Sequence, residues 1–361
     1  MRARPREFGL VLGTLEPGPR NTIADVGEVR VGHVTLFEGE GKLVPGTGPV
    51  RTGVTVIVPH RGNVWRERPK AMWETINGCG ELSGALEMRE FGVLRTPIGL
   101  TTTNCVGNVY AGLVEATMAA NPDADAVIPV VSECDDSELN DARGMHVKAG
   151  HVRDALRVAG DRFEHGSVGA GTGMIEFGFK GGIGSASRRL TAAEGGWTVG
   201  ALVNSNVWDG DLLKIAGVPI WKELEATGAV RTGPPAGSSV VIVLATDAPL
   251  SSRQLGRLAR RAFHGLARLG CVSYSGSGDI AIAFSTAHRV PLDAPPEPMS
   301  EPRIPDSAIN PLFVAVAEAT EEAVVDSLFT ATTVVGRDGN TAFELPVGPT
   351  IEILDRYGRL E

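Results

Sequence analysis

Aromatic residues and cysteines are scarce in this chain of 361 residues, and their scarcity restricts the kind of protein it can be. Phe, Trp and Tyr make up 5% of the residues, so the core must be built mainly from Val, Ile, Leu and Ala. The cysteines lie far apart without a CxxC spacing, and the histidines do not pair, so we expect neither disulfides nor a metal site. Free thiols in turn favour a cytoplasmic protein. The four cysteines are Cys79, Cys105, Cys134 and Cys271.

Long apolar segments and an excess of basic residues are also missing. No stretch reaches the roughly 18 apolar residues that span a bilayer, and the N-terminal MRARPREFGLVLGTLEPG lacks the apolar run of a signal peptide. The net charge of −9 argues against a nucleic-acid or anionic-membrane partner, since both select concentrated basic surfaces. One basic cluster falls at helical spacing and is predicted to be a solvated helix face. Its members are Arg253, Arg257, Arg260, Arg261 and Arg268.

Glycine is abundant, with 46 residues, and it is densest between residues 168 and 188. The spacing of Gly169, Gly171 and Gly173 is GxGxG rather than the GxGxxG of dinucleotide-binding loops, and no helix plainly follows. We therefore predict strand-turn-strand backbone for this segment, with no nucleotide cofactor.

Strands and helices are predicted to mix throughout the chain. Their order lacks strict βαβ alternation, which argues against a doubly wound nucleotide-binding fold. The segment 231–237 (RTGPPAG) is the one plausible break. Strands are predicted over 27–34, 53–58, 126–131, 239–245 and 280–285, and helices over 81–89, 106–120, 251–269 and 310–330.

Two serines, Ser238 and Ser239, lie between this break and a buried β-branched strand. A hydroxyl on the first residue of a rigid strand can attack the carbonyl carbon before it, and hydrolysis of the resulting ester frees a new N-terminus. The freed amine, with a reference pKa of roughly 7.7–8.0, can act as a general base. One residue then supplies nucleophile and base, which suits a chain without a GxSxG elbow. The spacing alone also fits two serines that merely end a loop.

The sequence around these serines resembles the family of DmpA-type and β-peptidyl aminopeptidases, which are self-processing serine hydrolases. Matching runs follow one order from about residue 20 to residue 345, which is more specific than any single motif. They are IADVGEVRVGHVTL, TGVTVIVPHRG, INGCGELSG, RTPIGLTTTNCVG, ELNDARGMHV, VGAGTGMIEFGFKGGIGSASR, ALVNSNVWDG, SSVVIVLATDAPLSSRQLGRLARR, SGSGDIAIAFST and VGRDGNT.

The resemblance implies an α/β fold, a four-layer αββα sandwich that is similar to N-terminal-nucleophile hydrolases but has a different chain topology. It implies one domain over residues 1–361 that cleaves itself into 1–238 and 239–361. The two pieces are expected to stay together and to assemble as a homo-oligomer, usually a tetramer of pairs. No metal or organic cofactor is expected.

The resemblance also assigns catalytic residues. Ser239 is the expected nucleophile, with the register fixed by the Ala245-Thr246-Asp247 that ends its strand, and Ser238 stands where members usually have Gly or Asn. Asn206 matches an oxyanion-stabilising asparagine. Ser277 and Asp279 match a serine and a carboxylate that hydrogen-bond around the nucleophile and its amine, although some members carry Glu at the second position.

Four further residues are expected to contact the substrate or to line its pocket. Glu133 matches an acidic residue that pairs with the free amine of the substrate, which would make the enzyme an aminopeptidase. Asp135 stands where some members carry an aromatic hydroxyl, so it adds negative charge and leaves the substrate preference open. Asn104 and Asn77 lie in two family-like segments that are expected to line the pocket.

The expected activity is removal of N-terminal residues from short peptides, amino-acid amides or esters, D- or β-amino acids among them. One alternative is an acyltransferase that resembles ornithine acetyltransferase, which uses a threonine; Ser239 and Glu133 favour hydrolysis. A second alternative is an unprocessed homologue that only binds, which the unusual Ser238 and Asp135 keep open.

Overall fold

Two β-sheets stacked face to face form the centre of the computed structural model, which describes residues 2–208, 210–230, 238–294, 296–298 and 300–361. The predicted break at 231–237 lies outside the described residues. The strands are β1 (Arg30–Glu38), β2 (Val50–Val58), β3 (Glu67–Gly78), β4 (Ile98–Thr101), β5 (Val130–Glu133), β6 (Ile175–Glu176), β7 (Phe179–Lys180), β8 (Ile183–Arg189), β9 (Thr198–Asn206), β10 (Ser239–Thr246), β11 (Gly278–Pro291), β12 (Val334–Val335) and β13 (Thr341–Ala342).

The first sheet has four strands in the order β1-β2-β4-β5, and the second has five in the order β3-β11-β10-β9-β8. Each sheet is antiparallel except for one parallel pair, β4 with β5 and β10 with β11. Strand β10 is central in the second sheet. Val241 and Val243 point from it toward the first sheet, and Val240 and Ile242 point to the opposite side. Burial on both faces explains its near-continuous β-branched run.

Helices cover the outer face of each sheet. Helices α2 and α3 pack on the first sheet, and α5 and α6 pack on the second. The layers are therefore helix, sheet, sheet and helix, which confirms the predicted four-layer αββα sandwich. The helices are α1 (Ala85–Phe91), α2 (Val106–Ala120), α3 (Ala149–Val158), α4 (Ile220–Ala226), α5 (Ser252–Arg268), α6 (Asn310–Thr330) and α7 (Val347–Arg356).

The basic face of α5 packs against neighbouring residues of the chain. Arg260 forms an ion pair with Glu74, and Arg257 and Arg261 lie over the ring of Phe313. The predicted solvated face is therefore also held by ion pairs and ring contacts within the protein. No helix in the described part of the chain combines the length and the apolar composition needed to cross a membrane.

Candidate active site

Ser239 lies at the start of β10, where it forms part of the wall of a cavity of about 600 Å³. The residue is 6% exposed, and its Oγ makes no hydrogen bond of ordinary geometry to the described residues. The thiol of Cys134 is close by: burial raises the pKa of this thiol, and the Ser239 hydroxyl partly offsets the rise. The predicted nucleophile is thus a nearly buried hydroxyl that faces a cavity.

Asn206 lies directly opposite Ser239 on the neighbouring antiparallel strand β9. Directly opposed residues of an antiparallel pair share one face of the sheet. The backbone N–H of Ile175 donates to Asn206 Oδ1 over 2.8 Å, and Asn206 Nδ2 donates to the carbonyl oxygen of Asp135 over 3.0 Å. Since an N–H can only donate and a carbonyl can only accept, these two contacts fix which end of the amide is which.

The carbonyl group between the two serines also has a defined partner. In the intact chain the backbone N–H of Gly278, on β11, donates to the carbonyl oxygen of Ser238 over 3.2 Å. A side chain at position 278 would place its Cβ 2.5 Å from the carbonyl oxygen of Cys79, so the backbones meet here only because residue 278 is glycine. The peptide bond before Ser239 is therefore held against a backbone donor.

Ser277, which directly precedes β11, and Asp279 on β11 form a buried pair on either side of Gly278, the sheet partner of Ser239. Ser277 Oγ donates to Asp279 Oδ2 over 2.6 Å. Asn77 Nδ2, which can only donate, approaches Ser277 Oγ at 2.9 Å and the carbonyl oxygen of Ser273 at 2.7 Å. Asn77 therefore directs the single hydroxyl proton of Ser277 toward Asp279. Asn77 was expected to line the pocket, but it supports this pair from outside the cavity wall.

Glu133, the last residue of β5, brings a carboxylate from the first sheet to the same cavity. The residue is 4% exposed. Its Oε1 accepts from the backbone N–H of Glu81 over 3.0 Å, and its Oε2 accepts from the hydroxyl of Thr103. Burial is the main cause that raises the pKa of Glu133, and the negative charges of Asp135 and Glu81 raise it further.

Asp135 and Asn104 lie at the rim of the cavity. The exposed carboxylate of Asp135 accepts from the backbone N–H and the hydroxyl of Ser137, both over 2.9 Å. Asn104 Nδ2 donates to the carbonyl oxygen of Ala142 over 3.0 Å. The described wall carries three acidic residues and no lysine or arginine, so the cavity favours a cationic group. The described wall residues are Cys79, Gly80, Glu81, Thr103, Asn104, Glu133, Asp135, Ser137, Ala142, Ser238, Ser239 and Gly276.

The predicted residues thus fall into two groups around one place in the fold. Five lie at the cavity wall, namely Ser238, Ser239, Glu133, Asp135 and Asn104. The other three are buried beside Ser239: Asn206 and Asp279 lie in the flanking strands β9 and β11, and Ser277 directly precedes β11.

Sequence reasoning missed the backbone donors of this site, because an N–H group belongs to any residue type except proline. It also missed Thr103, which contacts Glu133; its only signal was its place beside Asn104 in the TTTNC run. The described residues contain no group of three His, Cys, Asp or Glu side chains that could hold a metal ion.

Comparisons with known proteins agree with this architecture. The sequence model of peptidase family S58 matches residues 21–342. The β-peptidyl aminopeptidase BapA of Sphingosinicella microcystinivorans is 39% identical over 99% of this chain and 93% of its own length. The PH0078 protein of Pyrococcus horikoshii OT3 is 48% identical, with a TM-score of 0.94 over 99% of this chain and 100% of that one.

A third relative connects the chain to a described fold variant. The L-aminopeptidase D-Ala-esterase/amidase of Ochrobactrum anthropi is 35% identical, with a TM-score of 0.90 over 99% of both chains. Its structure is described as a new variant among the Ntn hydrolase fold. These matches confirm the predicted family and fold: the chain belongs to peptidase family S58 and is a peptide-bond hydrolase.

Proposed function

We propose that the chain cleaves itself between Ser238 and Ser239 and then acts as an N-terminal-serine aminopeptidase. The observation that carries this proposal is the place of Ser239 at the start of a rigid central strand, with the Ser238 carbonyl oxygen bonded to the Gly278 N–H. Ser239 Oγ attacks the Ser238 carbonyl carbon, and the hydroxyl proton passes to the departing Ser239 nitrogen. Water then hydrolyses the ester, which gives a carboxylate on residue 238 and a free amine on residue 239.

The same serine then performs turnover. Its amine takes the Oγ proton while Oγ attacks the carbonyl carbon of the substrate, and the proton passes to the leaving amine. Asn206 Nδ2 stabilises the oxyanion, which is worth on the order of 3 kcal/mol for a preorganised donor. Ser277 and Asp279 hold the ammonium–hydroxyl network in place. Water releases the acyl group and restores the enzyme.

Glu133 selects substrates with a free amine. Its carboxylate lies at the wall of a cavity whose described charges are all negative, so it can pair with the ammonium group of an N-terminal residue. Together with the similarity to a β-peptidyl aminopeptidase and an L-aminopeptidase, this supports hydrolysis of short peptides, amino-acid amides and esters. Asp135 and Asn104 form the rim that contacts the leaving part of the substrate or its side chain.

The larger organisation follows from the same family. We propose a single αββα domain over residues 1–361, and an oligomer of self-cleaved pairs. Four free thiols support a reducing compartment, which agrees with the expected cytoplasmic location.

Mass spectrometry of the purified protein tests self-cleavage directly. We expect two pieces, residues 1–238 and 239–361, with the smaller beginning Ser-Val-Val-Ile. Ser239→Ala should remain whole and inactive. Ser238→Ala, which keeps a small residue before the nucleophile, should still cleave. A wild-type chain that stays whole at neutral pH contradicts the proposal and favours the unprocessed binding homologue.

Substrate assays separate hydrolysis from acyl transfer. Amino-acid amides should be hydrolysed, whereas their N-acetylated forms should not, because they lack the ammonium group that Glu133 binds. A nucleophilic amine offered together with water distinguishes the alternative: a product that is mainly the acylated amine at low acceptor concentration would establish an acyltransferase instead.

A further inference from the structure

The hairpin of β6 and β7 carries two buried ionisable side chains that the proposed reaction does not use. Glu176 on β6 and Lys180 on β7 are both fully buried. At the tip of the hairpin Phe177 and Gly178 have φ angles of 48° and 77°. A left-handed backbone is unfavourable for phenylalanine, so the surroundings must hold this hairpin in shape.

The hydrogen bonds around Glu176 are all satisfied when its carboxyl group carries a proton. Ser205 Oγ lies 2.6 Å from Oε1, and Ser327 Oγ contacts Oε2. Ser327 Oγ also lies 2.8 Å from the carbonyl oxygen of Val324, which can only accept. The single hydroxyl proton of Ser327 can serve only one of these two acceptors, whereas a proton on Glu176 Oε2 lets Ser327 accept there while it donates to Val324. Ser205 then donates to Oε1, and no polar group is left without a partner.

The charges around Glu176 support the same protonation state. Burial raises the pKa of Glu176 to about 8. The hydroxyls of Ser205 and Ser327 and the charge of Lys180 lower this pKa in part, whereas the charge of Asp326 raises it. Glu176 is therefore neutral at neutral pH and gains a negative charge as the pH rises through about 8.

Lys180 does not need a charged partner to remain buried. Its Nζ donates to the carbonyl oxygens of Gly171 and Gly181, at 2.9 and 2.6 Å, which a neutral amine can do with its two protons. Burial lowers its pKa to about 7, although Glu176 and Asp136 raise it in part. Burial therefore favours the neutral form of both groups.

The hairpin holds the end of strand β9, where the predicted oxyanion donor lies. Residues 175–177 of the hairpin each form a hydrogen bond with one of residues 205–207. In one of these bonds the backbone N–H of Ile175 donates to Asn206 Oδ1 and fixes its position. Glu176 also reaches Ser327 on α6, so it connects the hairpin to the helix layer. The three contacts are Ile175 with Asn206 over 2.8 Å, Glu176 with Ser205 over 2.6 Å, and Phe177 with Val207 over 2.5 Å.

We propose that protonated Glu176 is a positioning residue, which ties the hairpin to α6 and so holds the Asn206 amide in the orientation the reaction uses. The inference rests on the proposed role of Asn206. Loss of the proton places a negative charge in the buried centre near Asp326. It also leaves Ser327 Oγ with one proton for two acceptors, Oε2 and the Val324 carbonyl oxygen. The hairpin then shifts, the amide of Asn206 shifts with it, and kcat falls.

The experiment compares wild type with Glu176→Gln, both as fully cleaved enzyme checked by mass spectrometry. Gln keeps an acceptor for Ser205 and a donor for Ser327 but cannot ionise. Removing an oxyanion donor costs roughly 10²–10³-fold in kcat, so a displaced one should cost about tenfold or more. We therefore expect wild-type kcat to fall about tenfold between pH 8 and pH 10, while kcat of Glu176→Gln stays within about twofold of its value near neutral pH. KM should rise alike in both, because the substrate loses its ammonium charge.

Glu321→Gln is the matched control. Burial raises the pKa of Glu321 as well, and Glu321 lies on α6, the helix of Ser327, but its carboxylate pairs with Arg268. This variant should keep the alkaline fall of the wild type. A fall in kcat of Glu176→Gln equal to that of the wild type overturns the positioning role while hydrolysis itself stands. An enzyme that neither cleaves itself nor hydrolyses free-amine substrates overturns the proposed function instead.

A second variant covers the case in which Glu176→Gln is not recovered as cleaved enzyme. Ser205→Ala removes the tie between Glu176 and β9 from the other side. We expect kcat to fall about tenfold with KM nearly unchanged, as for a displaced oxyanion donor. An unchanged kcat in Ser205→Ala overturns the proposal.

Discussion

Both ends of the Asn206 amide are fixed by backbone groups, so this side chain is preorganised as a donor. Replacing it by Ala removes the donor, and we expect kcat to fall roughly 10²–10³-fold with a smaller change in KM. Steady-state kinetics of the cleaved enzyme measure the loss. Asn204→Ala is the control, because the Asn204 side chain is buried on the same strand and has no hydrogen-bond partner among the described residues. Equal losses in the two variants would contradict an oxyanion role.

Glu133 offers a test that separates binding from chemistry. Glu133→Gln keeps the contacts with Thr103 and the Glu81 N–H but removes the charge, so KM for free-amine substrates should rise about tenfold or more, since hydrogen bonds to charged groups contribute about 1.5–3 kcal/mol. The change in kcat should be small. Glu81→Gln, at the rim, should change KM less. A variant with unchanged KM would exclude Glu133 as the ammonium site.

The pH dependence of the same residue gives a second check. The pKa of Glu133 is raised by burial, so the carboxylate takes up its proton at a higher pH than an ordinary glutamate. The negative form binds the ammonium group, and it is lost as the pH falls through this pKa. Wild-type KM should therefore rise toward acid, whereas KM of Glu133→Gln should stay flat over that range. Parallel acid limbs in both enzymes would assign the titration to another group.

The sequence predicted the side chains of the site better than their supports. Ser239, Glu133 and Asn206 were found because a family motif carries them. The inward direction of the Ser277 hydroxyl depends on Asn77, which lies 200 residues away in the chain. Such a contact follows from strand pairing and leaves no local pattern in the sequence, so only the folded structure reveals it.

At the level of elements, β11 begins close to the loop after β3, and comparing substitutions at Gly278 and Gly276 tests what this close approach does. Gly278→Ala would place a Cβ 2.5 Å from the Cys79 carbonyl oxygen, whereas a Cβ at Gly276 meets nothing within 4 Å. We expect Gly278→Ala to move the N–H away from the Ser238 carbonyl, to slow self-cleavage at least about tenfold and to lower the melting temperature. Gly276→Ala should change neither quantity. Time-resolved gel analysis and thermal unfolding measure both, and normal cleavage in Gly278→Ala would remove the Gly278 N–H from the mechanism.

Burial explains part of which elements the sequence predicted, but not all of it, since β9 is buried along its whole length and was not among the predicted strands. Strand β10 is buried on both faces and helix α5 has one apolar stripe with a capping box, so both were predicted with nearly correct ends. Strand β3 was missed, because it lies at a sheet edge and its half-exposed residues show no clean alternation. Strand β11 was predicted too short, since its second half leaves the core and becomes polar. The hydrophobic pattern of a segment reflects how much of it packs in the core, and segments at a sheet edge pack against fewer neighbours.

At the level of the whole molecule, the proposed cleavage divides the second sheet between two pieces. Strands β3, β8 and β9 belong to residues 1–238, and β10 and β11 belong to residues 239–361. The strand order β3-β11-β10-β9-β8 places both strands of the smaller piece inside the sheet, between strands of the larger one. Helix α6, from the smaller piece, packs on β8 and β9. Neither piece can therefore bury its own core alone.

This topology predicts that the cleaved enzyme unfolds as one unit. The two pieces should co-elute in size-exclusion chromatography and separate only in denaturant. Their melting should follow a single transition, because removing β10 and β11 exposes the apolar faces of both sheets at once. The uncleaved Ser239→Ala chain is the reference: its fluorescence and circular-dichroism transitions should also coincide, with the temperature set by the same core. Two separate transitions in the cleaved enzyme, or a smaller piece that elutes alone without denaturant, would show that the pieces are independent domains.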